Sequence, residues 1–331
     1  MSSDDKRDYK VVDRGQLVVG FPIDEAVLAF QRLYDEGIVS PAYGVWDLTA
    51  TDVHRGYLER YLRGPRAVEF YRAKLRGSTA RRRSLPASVF LSMPVPVPEE
   101  SEQRRIAAIL DQVDELRAKR RRTLALLDEL RTGLLEPLQG RGRVGLREHI
   151  EFLTSGSRGW AKYYSSGGTP FLRIQDVGKD RLATSDLVRV NAPPSMEAER
   201  TRVKAGDVLL SITADLGRTA VVTPELAGAN VSQHLALLRL KGVSPRYVSA
   251  YLSSSSGVQQ LMKMNRGATK QGLNFDDVRS IRIPRLEDDE QGALVRQLEA
   301  IDESVARAES HLDHLDELFA SLQHRAFTGQ L

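Results

Sequence analysis

Apolar residues near the end of the chain recur at alternating steps of four and three. Steps of this kind over about four heptads are typical of a helix that packs along one seam against another helix. The sequence therefore predicts a helix over residues 288–327 that requires a helical partner. The positions are Leu294, Leu298, Ile301, Val305, Ala308, Leu312, Leu315, Phe319 and Leu322.

A second stretch, 101–140, carries a weaker form of the same pattern. We expect the two helices to pair as an antiparallel coiled coil, because a whole domain separates them along the chain. The alternative is a local helical hairpin packed on its own domain. The stretch keeps Ile106, Leu110, Val113, Leu124, Leu127 and Leu134 but places Arg117, Arg120 and Arg131 in the same register.

Shorter apolar runs bounded by glycine and polar residues predict buried strands. The runs cover 169–175, 206–213, 219–222 and 235–240, and a last strand covers 280–284. Helices are expected over 244–252 and 257–264. Strands and helices in this order predict an α+β domain with polar, glycine-rich loops.

These elements belong to a long internal repeat. Arg76-Gly-Ser-Thr recurs as Arg266-Gly-Ala-Thr, and the segment 57–62 recurs as 247–252, both at an offset of 190. Further matches are Met93-Pro94 with Ile283-Pro284 at 190, the segment 15–19 with 206–210 at 191, and the segment 127–130 with 315–318 at 188. Such self-similarity predicts two copies of one unit, each a mixed α/β domain followed by a long helix.

The repeat divides the chain into four parts. We expect a partial first domain over 1–100, a first spacer helix over 101–140, a complete second domain over 143–287 and a second spacer helix over 288–327. The equivalent of residues 143–200 has no counterpart before residue 10. The first domain is therefore expected to lack about its first third.

Composition places the chain among soluble proteins with packed cores. Of its 331 residues 41% are hydrophobic and 28% charged, and none is cysteine. The lack of cysteine excludes disulfides, thiolate nucleophiles and cysteine-containing zinc sites, which suits a reducing cytoplasm. No run approaches the roughly 20 apolar residues of a membrane span, and the first ten residues do not resemble a signal peptide. A cytoplasmic protein is expected.

Positive charge is clustered although the net charge is only +4. Between Arg63 and Arg83 there are eight basic residues and one acid, Glu69. This stripe could face nucleic acid phosphates, or it could be a solvated helix face followed by an arginine-rich loop.

The sequence lacks the motifs typical of a DNA methyltransferase, an ATP-driven motor and a nuclease. The run Asn191-Ala-Pro-Pro-Ser departs from a methyltransferase motif because alanine intrudes and no aromatic residue follows. Neither a Walker A pattern nor a Glu-x-Lys step occurs. His311 and His314 flank the seam of a charged helix, so a metal site is not expected. We expect no catalytic residue, no metal and no cofactor.

Three polar loops of the second domain suit contact with DNA, because base edges need donors and acceptors and phosphates need cations. Trp160 in the first loop could instead belong to the core, Arg218 in the second could simply pair with Asp215, and His234 could be a satisfied structural residue. The candidates are Arg158, Lys162, Tyr163, Thr213, Arg218, Gln233, His234, Arg266, Lys270 and Gln271.

The order of these motifs resembles a target recognition domain of the specificity (S) subunits of type I restriction-modification systems. The likeness covers the second domain and its helix, and the first domain from about Tyr9. The first domain departs from it, since residues 20–25 lack the Gly-Arg seen at Gly217-Arg218. The motifs are Ser155-Gly156, Tyr163-Tyr164, Gly167-Gly168, residues 171–177, residues 206–213, Gly217-Arg218, residues 231–236, residues 267–273, residues 281–284 and Glu290-Gln291.

The resemblance implies a DNA-recognition subunit without catalytic activity of its own, acting in phage defence. Two recognition domains would each read half of a bipartite site in double-stranded DNA, while the helices act as a ruler and dock two modification (methyltransferase) subunits. Restriction subunits would be further partners, and S-adenosylmethionine, Mg²⁺ and ATP would bind only to partner subunits. The alternatives are a truncated, recognition-deficient S subunit and a coiled-coil protein-interaction scaffold.

Overall fold

The structure, a computed structural model, describes residues 7–75, 85–156, 158–265 and 272–331. Contacts divide the chain into two compact units. The first unit comprises Met1–Thr123 and Ala308–Leu331, and the second comprises Leu124–Arg307. Each unit therefore includes part of both long helices.

The first unit combines short strands with short helices ahead of the first long helix. Strand β2 lies between β3 and β5, and β1 pairs with β4 in a separate ladder, all antiparallel. The elements are β1 (Lys10–Asp13), β2 (Leu17–Val19), β3 (Leu28–Phe30), β4 (Glu36–Val39), β5 (Gly44–Trp46), α1 (Arg55–Leu62), α2 (Pro65–Lys74), α3 (Ala87–Leu91) and α4 (Glu100–Leu135), the last of which continues into the second unit.

The core of the first unit forms where α1, α2 and α4 cover this sheet. Tyr57 and Tyr71 are almost fully buried, with Leu110 of α4 beside them. Phe327, from the end of the chain, packs edge-on against Tyr57 and Tyr61. The chain terminus thus completes this core.

The second unit contains a longer series of strands. One sheet has the order β12-β11-β14-β7, a second has the order β13-β9-β10-β8, and β6 pairs with β15. The elements are β6 (Arg143–Gly145), β7 (Ile150–Ser155), β8 (Tyr164–Ser165), β9 (Thr169–Leu172), β10 (Arg189–Val190), α5 (Met196–Arg200), β11 (Val208–Ser211), β12 (Thr219–Val221), β13 (Asn230–Val231), β14 (Leu235–Leu240), α6 (Pro245–Ser253), α7 (Ser255–Met264), α8 (Phe275–Ser280), β15 (Arg282–Pro284) and α9 (Asp288–Ala326), the last of which continues into the first unit.

The same local contact recurs in both units. The Oε1 atom of Gln103 accepts a hydrogen bond from the backbone N–H of His54, the residue that caps α1, at 2.8 Å. The Oε1 atom of Gln291 accepts one from the backbone N–H of Ser244, which caps α6, at 2.9 Å. A long helix is thereby tied to the start of a short one in each unit.

A second recurring contact changes one detail of the repeat alignment. The Tyr57 hydroxyl donates to the carbonyl of Pro96 and the Tyr247 hydroxyl to that of Pro284. In three dimensions Pro96 is therefore the counterpart of Pro284, whereas the sequence match had paired Pro94 with it. Helix α3 begins at Ala87 and α8 at Phe275, an offset of 188 that also separates Pro96 from Pro284. The repeat offset therefore changes from 190 to 188 before α3 begins.

Two of the three arginines that interrupt the apolar pattern of α4, Arg117 and Arg131, meet carboxylates of α9. In the first unit the Arg117 Nε lies 2.5 Å from the Asp316 Oδ1, and the Arg117 guanidinium lies over the Phe319 ring. In the second unit Arg131 pairs with Asp302. At Arg117 and Arg131, ion pairs between the helices therefore take the place of apolar contacts.

The apolar seam is most deeply buried where each helix lies against a unit's own core. Ile106 and Leu110 belong to the core of the first unit and Leu298 to that of the second. Leu294 also belongs to the core of the second unit, and the other expected seam positions lie outside these cores or at their edges. Val113 and Ile301 are buried, while Leu124, Leu127, Val305, Leu312, Leu315 and Phe319 are half-buried.

Two local expectations differ from the structure. The strand predicted over 169–175 ends at Leu172, because the Asp176 carboxylate accepts the Arg173 backbone N–H and closes a short 3₁₀ turn. The predicted strand 280–284 begins only at Arg282, since Ser280 ends α8, a helix that the periodicity did not predict. Within the described ranges, every helix is too short or too polar to cross a bilayer.

Candidate nucleic-acid interface

The register of the sheet β12-β11-β14-β7 in the second unit brings several loops to one end. Ser155, at the end of β7, lies opposite Ala236, near the start of β14. Ser211, at the end of β11, lies opposite Leu235. Because neighbouring strands are antiparallel, the loops after β7 and β11 and the loop before β14 all leave from this end of the sheet. We call it the loop end.

The first loop follows β7 and is anchored by close backbone packing. A Cβ atom at Gly156 would lie 1.9 Å from the carbonyl oxygen of Val231, so only glycine fits there. Trp160 is buried and stacks on Phe171 with ring centroids 5.2 Å apart. It therefore belongs to the core, as the alternative interpretation held.

The cations of this loop remain accessible. Arg158 and Lys162 are exposed, and the Lys162 ammonium lies 5.0 Å from the centroid of the half-buried Tyr163 ring. A cation held over an aromatic face beside solvent is suited to contact an anionic ligand.

The second loop joins β11 to β12 and carries Arg218. The Arg218 Nε lies 2.5 Å from the Asp215 Oδ2, and its Nη1 donates to the Val177 carbonyl at 3.1 Å. Gly217 has a φ of +90°, and a Cβ there would lie 2.5 Å from the Val258 side chain. The backbone that presents Arg218 therefore needs glycine on both steric and conformational grounds.

A chain of polar side chains connects the second loop to the start of β14. The Thr213 hydroxyl lies 2.7 Å from the His234 Nδ1, and the His234 Nε2 lies 3.0 Å from the Gln233 amide nitrogen. All three side chains are half-buried. His234 is thus held by partners on both ring nitrogens, while the group stays partly open to solvent.

The third predicted loop begins and ends beside this group. Gly272 pairs with Thr213 in an isolated bridge and donates its backbone N–H to the Asn265 side chain at 3.1 Å. Arg266, Lys270 and Gln271 lie outside the described residues, as does the part of the basic stripe over 76–84.

Arg200 is an exposed cation at the loop end that sequence reasoning missed. Its guanidinium donates to the Thr154 hydroxyl and to the Ser155 carbonyl, next to the end of β7. No motif marks this residue, because α5 follows β7 only after several intervening elements and folding alone brings them together. Arg189, also exposed, donates to the Gly168 carbonyl at 2.8 Å on the sheet β13-β9-β10-β8.

A glycine-rich run and two histidines of α9 are the features that could suggest an enzyme or metal site. Gly140, Gly142 and Gly145 have the Gly-x-Gly-x-x-Gly spacing of nucleotide-binding loops, but they follow a helix and run into β6, whereas that fingerprint joins a strand to a helix. His311 and His314 are exposed on α9. Among the described residues, no group of three or more His, Asp or Glu side chains could hold a metal ion.

Comparison with curated proteins finds distant relatives, while no family model matches the sequence. The type I restriction enzyme EcoBI specificity subunit of Escherichia coli is 22% identical over 170 residues, covering 50% of this chain and 36% of the relative. The putative type I restriction enzyme MjaX specificity subunit of Methanocaldococcus jannaschii is 21% identical over 265 residues, covering 72% of this chain and 59% of the relative. The chain thus matches about a third to three fifths of the length of these relatives.

Solved structures share the fold over nearly the whole chain. The S subunit of a type I restriction-modification system from M. genitalium superposes with a TM-score of 0.60 at 16% identity, covering 96% of this chain and 83% of that one. A chain from a structure of the type I restriction-modification system, described for its complex assembly and conformational transition, gives a TM-score of 0.54 at 22% identity, with 97% and 84% covered. The mixed α/β fold is therefore the one found in these S subunits.

Proposed function

We propose, from its homology with type I restriction enzyme specificity subunits, that this chain recognises double-stranded DNA and leaves catalysis to partner subunits. The observation that carries the proposal is the loop end of the second unit. Three loops leave from it, and exposed or half-buried cations, Arg158, Lys162, Arg200 and Arg218, accompany them.

The side chains at the loop end divide by the contacts they suit. Arg158, Lys162 and Arg200 would neutralise phosphates, which positions a protein on the duplex without reading its sequence. Arg218, held by its contact with Asp215, would read a guanine through its O6 and N7 atoms. The half-buried Thr213 hydroxyl and the amide nitrogen of Gln233 would be further hydrogen-bonding groups for base edges, whereas the Gln233 Oε1 atom is buried.

The site read by the complex is proposed to be bipartite. The four-part division into domains over 1–100 and 143–287 and spacer helices over 101–140 and 288–327 would place one recognition domain at each half-site. The recurring contacts of Gln103 and Gln291 support a shared origin for the two domains. The first domain would read its half-site with fewer loops, since residues 20–25 lack a counterpart of Arg218.

The two helices are proposed to form the antiparallel coiled coil that separates the domains. The pairs Arg117 with Asp316 and Arg131 with Asp302 support this, because a step forward along α4 corresponds to an equal step back along α9. With 36 and 39 residues, each helix spans about 55 Å at 1.5 Å per residue. That length is comparable to one and a half turns of B-DNA, roughly 50 Å.

The helices would also dock two modification subunits. Leu126 and Leu130 of α4 and Leu318 of α9 are exposed, and large exposed apolar side chains on a paired helix favour protein contacts. Those subunits would bind S-adenosylmethionine, and restriction subunits, as further partners, would use ATP and Mg²⁺. The assembly would act in the cytoplasm.

The proposal is tested by selecting duplexes from a randomised pool with the full chain bound to its co-purified methyltransferase subunits. We expect two enriched sequence blocks separated by an unconserved spacer, and an affinity that falls steeply with salt concentration. Enrichment of no sequence, with equal binding to all duplexes, would contradict recognition. Failure to bind any duplex would instead favour a protein-interaction scaffold.

A further inference from the structure

Four charged side chains form a cluster in the second unit that joins the turn 177–182 and helix α6 to both long helices. Arg131 lies on α4, Arg246 on α6 and Asp302 on α9, while Asp180 lies in the turn 177–182. Each arginine contacts both carboxylates: the Arg131 Nη1 lies 2.9 Å from the Asp180 Oδ2, and the Arg246 Nη2 lies 2.5 Å from the Asp302 Oδ2. The contacts of Arg131 with Asp302 and of Arg246 with Asp180 close the ring.

Three of the four side chains in the cluster are largely shielded from water, and Asp302 lies at its exposed edge. The Asp180 side chain is 1% exposed and the two arginine side chains 17% and 16%. Burial raises the pKa of the Asp180 carboxyl, and the neighbouring arginines oppose that effect. Two positive and two negative charges balance, so the removal of one leaves an uncompensated charge in a dry environment. Such clusters hold their elements in one arrangement.

The turn that carries Asp180 also supports the second recognition loop. The Val177 carbonyl accepts a hydrogen bond from Arg218, and the Gly178 carbonyl accepts one from the Thr219 backbone N–H at 3.1 Å. A continuous path of direct contacts therefore runs from the two helices through Asp180 to Arg218.

Among its described residues, the first unit lacks this arrangement. By the repeat offsets of 190 and 188, its counterpart of Arg246 is Gly56 and its counterpart of Arg131 is Phe319. Arg60 pairs there with Asp111 and Asp114, which joins α1 to α4 without a turn from the sheet. Asp302 does have a counterpart in Asp114, which pairs with Arg60, so one arm of the cluster recurs while the four-membered ring belongs to the second unit alone among the described residues.

We propose that the four residues of this cluster are positioning residues. They set the angle between the loops of the second recognition domain and the two long helices. This inference rests on the proposed function, since the angle determines which distance between two half-sites the complex accepts. This role requires no contact between the four residues and DNA. They act through the turn 177–182 and Arg218.

Two variants remove one negative charge from the cluster with little change of volume. Asp180→Asn keeps the turn, because asparagine tolerates the positive φ of 59° at this position. Asp302→Asn alters a side chain that is 40% exposed, so the fold should be retained even if Asp180→Asn does not fold. Glu290→Gln is the matched control, since it removes one negative charge from α9 in an exposed pair with Arg141.

The experiment measures binding of the full chain with its methyltransferase subunits to duplexes that carry the selected half-sites at the selected spacing or with one base pair added or removed. We expect the wild type and Glu290→Gln to share one spacing preference. The two cluster variants should lose between about twofold and thirtyfold of that preference, the range typical of mutations that couple distant sites. Affinity for the selected spacing should change less.

The outcomes separate this inference from the proposed function. A wild type without any preference among duplexes would overturn the proposed function and the inference with it. The inference alone would be overturned if the wild type showed a clear spacing preference and the folded variants Asp302→Asn and Asp180→Asn kept it. An equal loss in Glu290→Gln would do the same, because it would trace the effect to charge rather than to the cluster.

Discussion

The Arg218 guanidinium and the Asp215 carboxylate form a pair on the loop between β11 and β12, with Nε and Oδ2 2.5 Å apart. The Arg218 side chain is 38% exposed, so the pair orients the arginine without enclosing it. The structure thus shows the internal pair with Asp215, and the base-reading role of Arg218 stays a prediction.

Replacement of Arg218 by alanine should remove discrimination at one base pair. A bidentate contact with guanine contributes about 1 to 3 kcal/mol, so one position of the preferred site should become tolerant of other bases. Binding to a panel of single-base variants of the selected site measures this loss. Uniform weakening over the whole panel would assign Arg218 to a phosphate instead.

Replacement of Gln291 by alanine should destabilise the second unit. Its side chain is buried, accepts the Ser244 backbone N–H and donates to the Leu286 carbonyl at 3.0 Å. Two polar backbone groups would lose their partner, at a cost of about 2 to 3 kcal/mol. Thermal unfolding of this variant is compared with that of Gln297→Ala, an exposed glutamine on the same helix. Equal midpoints for the two variants would contradict the assigned role.

Replacement of Arg117 by alanine should weaken the contact between the two helices in the first unit. Arg117 is 18% exposed, pairs with Asp316 and covers the Phe319 ring at 4.5 Å, so its loss should cost about 1 to 2 kcal/mol. Arg121→Ala provides the control. Arg121 faces the same carboxylate at 3.6 Å but is 53% exposed, and its loss should cost less than about 0.5 kcal/mol. Denaturant unfolding distinguishes the two, and the reverse order would refute the helix contact.

The stability of the first unit should depend on Tyr57 at alkaline pH. Burial raises the pKa of Tyr57 from 10.0 to about 12. The folded state therefore favours the protonated phenol, and this contribution is complete below about pH 10 and is lost as the pH rises through 12.

Replacement of Tyr57 by phenylalanine removes that dependence. The variant should be less stable by about 1 kcal/mol at pH 8, because the hydrogen bond to the Pro96 carbonyl is lost, and the deficit should shrink between pH 10 and 12. Unfolding curves at several pH values measure the difference. The exposed Tyr34 serves as the control through Tyr34→Phe. A deficit that stays constant over this pH range would contradict the assignment.

Part of the candidate site could be predicted from the sequence because loops have a recognisable local composition. Glycines beside cations and polar residues after apolar runs indicated the loops around Arg158 and Arg218, and the register of the sheet places both loops at one end. Arg200 could not be found in this way. Its proximity to Ser155 depends on how α5 packs beside β7, and no spacing along the chain encodes that.

The fold, like the site, has features that the sequence determines and features that only the tertiary structure decides. The heptad spacing determined the two long helices, and the long repeat predicted two related sets of strands, because side chains three and four residues apart share a helix face and alternate ones share a strand face. The structure alone decided that Pro96 corresponds to Pro284, that Gln103 and Gln291 bind helix starts, and that Arg131 meets Asp180. These contacts join residues far apart in sequence, and only the packing of whole elements sets which side chains meet.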